Sequence, residues 1–237
     1  MSNPFQFKQF KVHQDQTAMK VGTDGVLLGA WTQINDTVNS ILDIGSGTGL
    51  ISLMMAQRSY VENIDAVELN EEAYIQTVDN FERSDWGDRL FCYHASFQQF
   101  DDEMDEKYDL IISNPPFYTS TYKELSEDRA MARHSEGLTY KELLEGTSNL
   151  LSKQGSCAFI IPYSEEENFI NVAGKCKLYP NKITRVRGTE SSLIKRSLLQ
   201  FSFYEEPLEI EELVIEIERH KYTQEYIDLV KEFYLKM

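Results

Sequence analysis

The sequence has few basic residues and no long apolar run. Its 237 residues include 23 lysines and arginines against 39 aspartates and glutamates, a net charge of −16 with histidine neutral. This surplus of negative charge excludes a generic nucleic-acid coat protein, because polyanions repel it. No segment reaches the roughly 18 consecutive apolar residues that a membrane span requires, and the amino terminus lacks a secretory signal pattern. We therefore expect a cytoplasmic protein with no membrane partner.

Cysteine, glycine and proline are also scarce. The sequence has only three cysteines, Cys92, Cys157 and Cys176. They are odd in number and widely spaced, with no CxxC pair, so neither a disulfide framework nor a metal site is expected. With 12 glycines, 6 prolines and no internal repeat, collagenous, disordered and solenoid chains are excluded.

The length and the 41% of hydrophobic residues suit one enzyme-sized domain with a single core. We predict one domain over residues 1–237, with a short N-terminal extension (about 1–35) and an added strand and helix at the C-terminal end (about 205–237). A monomer is expected.

Apolar strand patterns alternate with helical patterns through most of the chain. Core strands are predicted at 40–44, 63–69, 90–94, 108–113, 156–162 and 197–204. Helices are predicted at 25–31, 50–58, 71–81, 138–151 and 164–177. A short strand or hairpin is expected within 5–20, and a strand at 208–218 precedes a helix that Thr223 caps. This order predicts a Rossmann-like α/β fold, with a mostly parallel central sheet, helices on both faces and an antiparallel edge strand.

A glycine turn follows the first core strand, in the sequence LDIGSGTG. It has glycines at alternate positions, Gly45, Gly47 and Gly49. A dinucleotide fingerprint needs GxGxxG, and its third glycine would fall on Leu50, which disfavours a nicotinamide oxidoreductase. Asp43, just before the turn, would repel phosphates but suits a ligand that carries an ammonium and a sulfonium. The turn therefore predicts a site for S-adenosyl-L-methionine at the carboxyl end of the sheet.

Glu68 ends the second core strand, 25 residues after Asp43. A carboxylate at this place can accept hydrogen bonds from both hydroxyls of a ribose. The cofactor's sugar is its predicted partner.

The tetrapeptide NPPF at 114–117 directly follows the fourth core strand. Two successive prolines fix the backbone and remove its donors, so the loop presents only acceptors. The side-chain oxygen of Asn114 and the carbonyl of Pro115 can then each accept one hydrogen of a planar NH2 group, while Phe117 stacks on the ring that bears it. These three residues are the predicted catalytic residues, and Asn114 is also expected to border the cofactor.

The GxGxG turn together with NPPF resembles the class I amino methyltransferases that modify adenine or glutamine amide nitrogens. The block KVGTDGVLLGAW at 20–31, with HQDQTAM before it, resembles more narrowly the bacterial tRNA1(Val) (adenine(37)-N6)-methyltransferase family. The likeness covers nearly the whole chain, including 132–144 and 232–235. It implies methylation of the exocyclic amine of adenosine 37, just 3′ of the anticodon, in tRNA(Val).

The resemblance also implies roles for further residues. Thr23 and Asp24 would approach the methionine end of the cofactor. Class I methyltransferases usually have an acidic residue after the third strand that contacts the adenine amine. This sequence has Ser96 there instead, followed by Phe97, which could make one hydrogen bond and one ring contact respectively.

Two other interpretations of the same motifs remain open. One is amino methylation of a protein glutamine, of ribosomal RNA or of DNA, since several families share NPPF. A glutamine-modifying relative would carry a helical domain before the glycine turn, where only about 40 residues are available. The other is a catalytically silent module that holds RNA or a partner.

A tRNA substrate requires basic residues on an acidic protein. The window 175–200 has seven basic residues and one acidic residue, whereas 205–218 has seven glutamates and no basic residue. The predicted RNA contacts are Lys182, Arg185, Arg187, Lys195 and Arg196, together with Arg133 and His134 after NPPF. The window also fits a solvated helix and strand edge, and the two residues after NPPF also fit a polar loop.

Overall fold

The computed structural model describes residues 3–115 and 138–237, which form a sheet covered by helices. The helices are α1 (Thr23–Trp31), α2 (Leu50–Arg58), α3 (Glu71–Glu82), α4 (Phe97–Glu103), α5 (Tyr140–Leu150), α6 (Glu166–Lys175) and α7 (Gln224–Val230). The strands of the main sheet are β3 (Ser40–Ile44), β4 (Asn63–Glu68), β5 (Leu90–His94), β6 (Tyr108–Ser113), β7 (Leu151–Pro162), β8 (Tyr179–Arg187), β9 (Ile194–Ser202) and β10 (Glu209–Val214). Two small antiparallel pairs are β1 (Phe5–Gln6) with β2 (Lys11–Val12), and β11 (Glu216–Glu218) with β12 (Lys221–Tyr222).

Within residues 3–115 and 138–237, the main sheet has eight strands in the order β10-β8-β9-β7-β6-β3-β4-β5. Among these strands only β9 is antiparallel to its neighbours, β7 and β8, and the other pairs are parallel. The mostly parallel Rossmann-like sheet is therefore confirmed. An antiparallel strand is present as well: it is β9, and β8 and β10 extend the sheet beyond it.

Helices cover both faces of the sheet, and alternate strand residues supply the two cores because side chains alternate along a strand. Ile41 packs with α1, α2 and α7, whereas Leu42 and Ile44 pack with α4, α5 and α6. The N-terminal hairpin joins the first core through Phe7, which pairs with Tyr234. Every helix in the described part of the chain is too short or too polar to cross a membrane.

The predicted strand and helix positions agree with the structure to within a few residues, with two omissions. Strand β8 lies within the basic window at a position where we predicted no strand, although Ile183, Thr184 and Val186 are β-branched residues of the kind that favour strands. Helix α4 was also missed, although Ser96 and Gln99 form a capping box that the sequence spacing could have indicated. The division into one domain with two extensions stays a prediction.

Candidate active site

The glycine turn connects β3 to α2 at the carboxyl end of the sheet. Its three glycines, Gly45, Gly47 and Gly49, have φ values of 76°, 57° and 74°, a left-handed region that other residues adopt at a cost. A Cβ at Gly45 or Gly47 would meet nothing within 4 Å, whereas one at Gly49 would lie 2.6 Å from the ring of Phe81. Gly49 is therefore needed for packing as well, while the other two border open space that a ligand can use.

Asp43 is fully buried in β3, directly below the turn. Its Oδ2 accepts hydrogen bonds from the backbone N and the hydroxyl of Ser52, at 3.2 and 2.7 Å. Its Oδ1 has no hydrogen-bond partner among the described residues. Burial raises the pKa of Asp43 to about 7, although the Ser52 hydrogen bonds lower it, and the charge of Glu68 raises it further. A buried carboxylate with a free oxygen can stabilise a nearby cation.

Glu68 ends β4 and braces the turn from the neighbouring strand. Its Oε2 accepts from the backbone N of Gly47 at 2.9 Å, and its Oε1 accepts from the backbone N of Asn70 at 2.8 Å. Each carboxylate oxygen has a second lone pair that can accept a hydroxyl hydrogen. The predicted ribose contact is compatible with this arrangement.

Helix α3 holds the other side of the turn through residues that sequence reasoning missed. Thr77 donates its hydroxyl to the carbonyl of Gly47 at 2.9 Å. Asn80 donates to the carbonyls of both Thr48 and His13, at 2.8 and 2.9 Å, and accepts from the backbone N of His13 at 2.9 Å. The same helix therefore fixes the glycine turn and the N-terminal segment. No local sequence signal reveals these contacts, since they join residues 30 or more positions apart.

The residues predicted to contact the adenine lie after β5. Ser96 is the N-cap of α4, and its hydroxyl accepts from the backbone N of Gln99 at 3.2 Å. Phe97 is buried in the second core, and a Cβ on Gly146 would come within 2.5 Å of its ring. The ring packs against α5, and its predicted contact with the adenine stays a prediction.

Thr23 and Asp24 begin α1, which packs along α2. A Cβ on Gly25 would lie 3.1 Å from Leu50, the first residue of α2, so both helices begin at the same edge of the sheet. Asp24 is paired with Arg196, Oδ2 to Nε at 2.8 Å, and both side chains are partly exposed. The TDG element is thus close to the glycine turn, with its carboxylate in an ion pair.

Asn114 and Pro115 follow β6, the strand next to β3. Ser113 is in register with Ile44, and its hydroxyl donates to the Ile44 carbonyl at 2.7 Å. Asn114 is the next residue, so it follows β6 as the glycine turn follows β3, at the ends of two neighbouring parallel strands. Its Oδ1 is buried, and no described residue donates a hydrogen bond to it. Pro115 is buried as well.

Phe117, Arg133 and His134 lie outside the described residues. Their predicted roles, ring stacking for the first and RNA contact for the other two, stay predictions.

Carboxylates neutralise most of the predicted RNA contacts. The pairs are Lys182 with Glu209 and Glu211, Arg185 with Glu166, Arg187 with Glu212, and Arg196 with Asp24. Glu166 is buried and accepts from two nitrogens of Arg185 and from the Ser197 hydroxyl. Lys195 is exposed and forms no ion pair with the described residues. The basic window in the sequence is therefore largely paired in the fold, because its cations come from β8 and β9, whose neighbours bring acidic residues.

Known proteins of the same shape are methyltransferases. A "predicted O-methyltransferase" of Agrobacterium tumefaciens matches with a TM-score of 0.70 at 17% identity, covering 89% of this chain and 96% of that one. A ribosomal protein L11 methylase of Lactobacillus delbrueckii matches with a TM-score of 0.53 at 15% identity, covering 75% of this chain and 76% of that one. At these identities the matches establish the fold.

Relatives in sequence are closer. The model of the methyltransferase small domain family matches residues 22–163. Proteins named tRNA1(Val) (adenine(37)-N6)-methyltransferase include one of Christiangramia forsetii, 58% identical over 100% of both chains. Another, of Flavobacterium psychrophilum, is 59% identical over 98% of this chain and 100% of its own. The chain belongs to the methyltransferase small domain family and, over its full length, to the tRNA1(Val) (adenine(37)-N6)-methyltransferase family.

Proposed function

We propose that the protein transfers a methyl group from S-adenosyl-L-methionine to the exocyclic amine of adenine 37 in tRNA(Val). The full-length relatives that bear this name support the proposal. The structural observation on which it depends is Asn114, whose buried Oδ1 receives no hydrogen bond from the described residues and which follows the strand next to β3. Such an oxygen is costly to bury unless a ligand supplies its donor.

The residues present fit S-adenosyl-L-methionine. The space beside Gly45 and Gly47 is open to the backbone, and the free Oδ1 of Asp43 is an acceptor below it. We propose that Glu68 accepts the ribose hydroxyls and that Asp43 stabilises the cationic end. Thr23 and Asp24 would border that end from α1, and Ser96 would border the adenine.

When bound, the cofactor supplies a methyl group activated by a sulfonium. The chain's part is to orient the amine: Asn114 Oδ1 and the Pro115 carbonyl each accept one N–H hydrogen. Holding both hydrogens on one side leaves the nitrogen lone pair free on the other. Both acceptors are neutral, so the proton passes to water after the new bond forms, and no strong base is required in the pocket. Phe117 would stack on the flipped base, which costs little to extrude from an unpaired loop.

RNA binding must occur on a strongly acidic protein. Lys195 is the described residue we propose as a direct phosphate contact, because it is exposed and forms no ion pair with the described part of the chain. Lys182, Arg185, Arg187 and Arg196 would each have to leave a carboxylate partner to contact RNA.

The test is a transfer assay with labelled cofactor and unmodified tRNA(Val), followed by nucleoside analysis. We expect N6-methyladenosine with adenosine at position 37 and no product with inosine there, which has no exocyclic amine. Asn114→Ala should abolish transfer and leave cofactor affinity nearly unchanged. Asn39→Ala is the matched control, since Asn39 is exposed before β3 at the opposite edge of the sheet.

Label in protein and not in tRNA would replace this proposal with glutamine methylation. Label in ribosomal RNA or DNA alone would also overturn the choice of substrate. Undiminished transfer by Asn114→Ala would refute the acceptor-pair mechanism, and failure to bind the cofactor would favour a silent module.

A further inference from the structure

A concave site separate from the glycine turn is present in the described part of the chain, and none of the glycine-turn residues lines it. It is a groove of about 610 Å³ between the N-terminal hairpin, the ends of two strands and the C-terminal helix. Gly188 follows the last residue of β8, and Thr23 is the first residue of α1. The groove is therefore at the carboxyl edge of the sheet, the edge that also bears Asn114. We call it the tyrosine groove.

Aromatic rings dominate this groove. Phe5, Tyr222, Tyr226 and Tyr234 all line it. Phe5 and Tyr234 have ring centroids 6.2 Å apart, and Tyr222 and Tyr226 are 5.3 Å apart. Tyr226 is buried and hydrogen-bonded to Tyr234, whereas the other three rings are half-buried. Partly exposed rings on a rigid base offer faces on which another flat ring can stack.

The polar groups of the groove favour a neutral planar ligand. Glu216 and Lys236 line it together, so their formal charges cancel. A phosphate would gain little from this balance. A nucleobase, in contrast, is uncharged and can bind through the face that stacks on these rings.

We propose that the tyrosine groove stacks an unpaired base of the substrate RNA, a few nucleotides from the base that is methylated. This rests on the proposed function, which requires a single-stranded loop at the carboxyl edge. β8 is three strands from β6, so the carboxyl ends of these two strands are about 14 Å apart. The loop would be anchored at two points, one base in each site, and the second stacking contact would help to offset the repulsion between the RNA and the acidic protein.

The experiment uses the full chain and the anticodon stem-loop of tRNA(Val), with 2-aminopurine substituted at one loop position at a time. Stacking quenches 2-aminopurine fluorescence, so one position should be quenched on binding. The variants are Tyr222→Ala, Tyr222→Leu and Tyr222→Phe. The matched control is Tyr60→Ala, because Tyr60 is fully exposed beyond the C-terminal end of α2, at the opposite edge of the sheet.

We expect Tyr222→Ala and Tyr222→Leu to raise the Kd for the stem-loop roughly 5- to 100-fold and to remove the quenching. Tyr222→Phe and Tyr60→Ala should remain within about twofold of the wild type. The Kd for S-adenosyl-L-methionine should stay the same in all four, which also shows that they are folded.

Wild-type affinity and quenching in Tyr222→Ala, with normal transfer to tRNA, would overturn the groove proposal and leave the proposed function standing. A change in oligomeric state with no change in RNA affinity would identify the groove as a protein contact and overturn it too. Absence of transfer by the wild type would instead overturn the proposed function, and the groove proposal with it.

Discussion

Replacing Asp43 by asparagine should change the pH dependence of folding. The pKa of Asp43 is 3.8 in a free peptide and about 7 in the folded protein, chiefly because it is buried. Since folding favours the neutral form, the stability that this group contributes is fully present below pH 3.8 and is lost as the pH rises through 7. The difference between the two pKa values corresponds to a loss of about 4 kcal/mol of unfolding free energy above pH 7, relative to low pH. About 2 kcal/mol of this loss is already present at pH 5.

The asparagine side chain has nearly the same shape as the aspartate and could still accept from Ser52, but it does not ionise. Relative to the wild type, Asp43→Asn should therefore gain about 2–3 kcal/mol of unfolding free energy between pH 5 and pH 8. Urea titrations at the two pH values measure this, with equal slopes required for the comparison. Asp36→Asn is the control, because Asp36 is exposed. If the difference in unfolding free energy between Asp43→Asn and the wild type stayed constant with pH, the claim that folding raises the pKa of Asp43 would be refuted.

Three further outcomes are expected. Asn80→Ala should lower the unfolding free energy by roughly 3 kcal/mol and weaken cofactor binding, because it leaves backbone groups of two segments unpaired. Unchanged cofactor affinity in calorimetry would show that the glycine turn keeps its conformation without Asn80. Gly47→Ala should lower the unfolding free energy by about 1–2 kcal/mol through backbone strain and should block cofactor binding. Gly49→Ala should lower the unfolding free energy more, because its Cβ would meet the ring of Phe81. Melting curves with and without the cofactor distinguish a loss of binding from a loss of stability. Arg185→Ala should cost about 3–5 kcal/mol of stability, since it leaves the buried carboxylate of Glu166 without its cation. Lys195→Ala should leave stability unchanged and lower the slope of log K for RNA binding against log salt concentration by about 1. A stability loss in Lys195→Ala with a changed salt slope in Arg185→Ala would contradict these two roles.

Local pattern was sufficient for most of the fold. The strand and helix of LDIGSGTGLISLMM are where periodicity and glycine spacing place them, because each buries its own apolar face. The same argument predicted Thr223 as a cap, and its side chain does accept from the backbone N of Tyr226. Strand β8 was missed because its basic residues were interpreted as a solvated surface.

Ion pairs and hydrogen bonds between residues far apart in the chain could not be predicted from the sequence. A count of basic residues in a sequence window does not show which carboxylates lie beside them in the folded sheet. Here the acidic strand β10 pairs with β8, although more than 20 residues separate the paired positions in the sequence. The dependence of the glycine turn on Asn80 is hidden for the same reason. The end of β6 just before Asn114 could be predicted, in contrast, because an apolar run followed by a double proline marks the end of a strand by local geometry alone.

The acidic strand beside β8 has a consequence for how quickly a tRNA can be captured. Basic side chains of β8 that are paired with carboxylates contribute little to the electrostatic field that attracts a polyanion from a distance. We therefore expect the protein and tRNA to associate slowly, at a rate that depends only weakly on ionic strength.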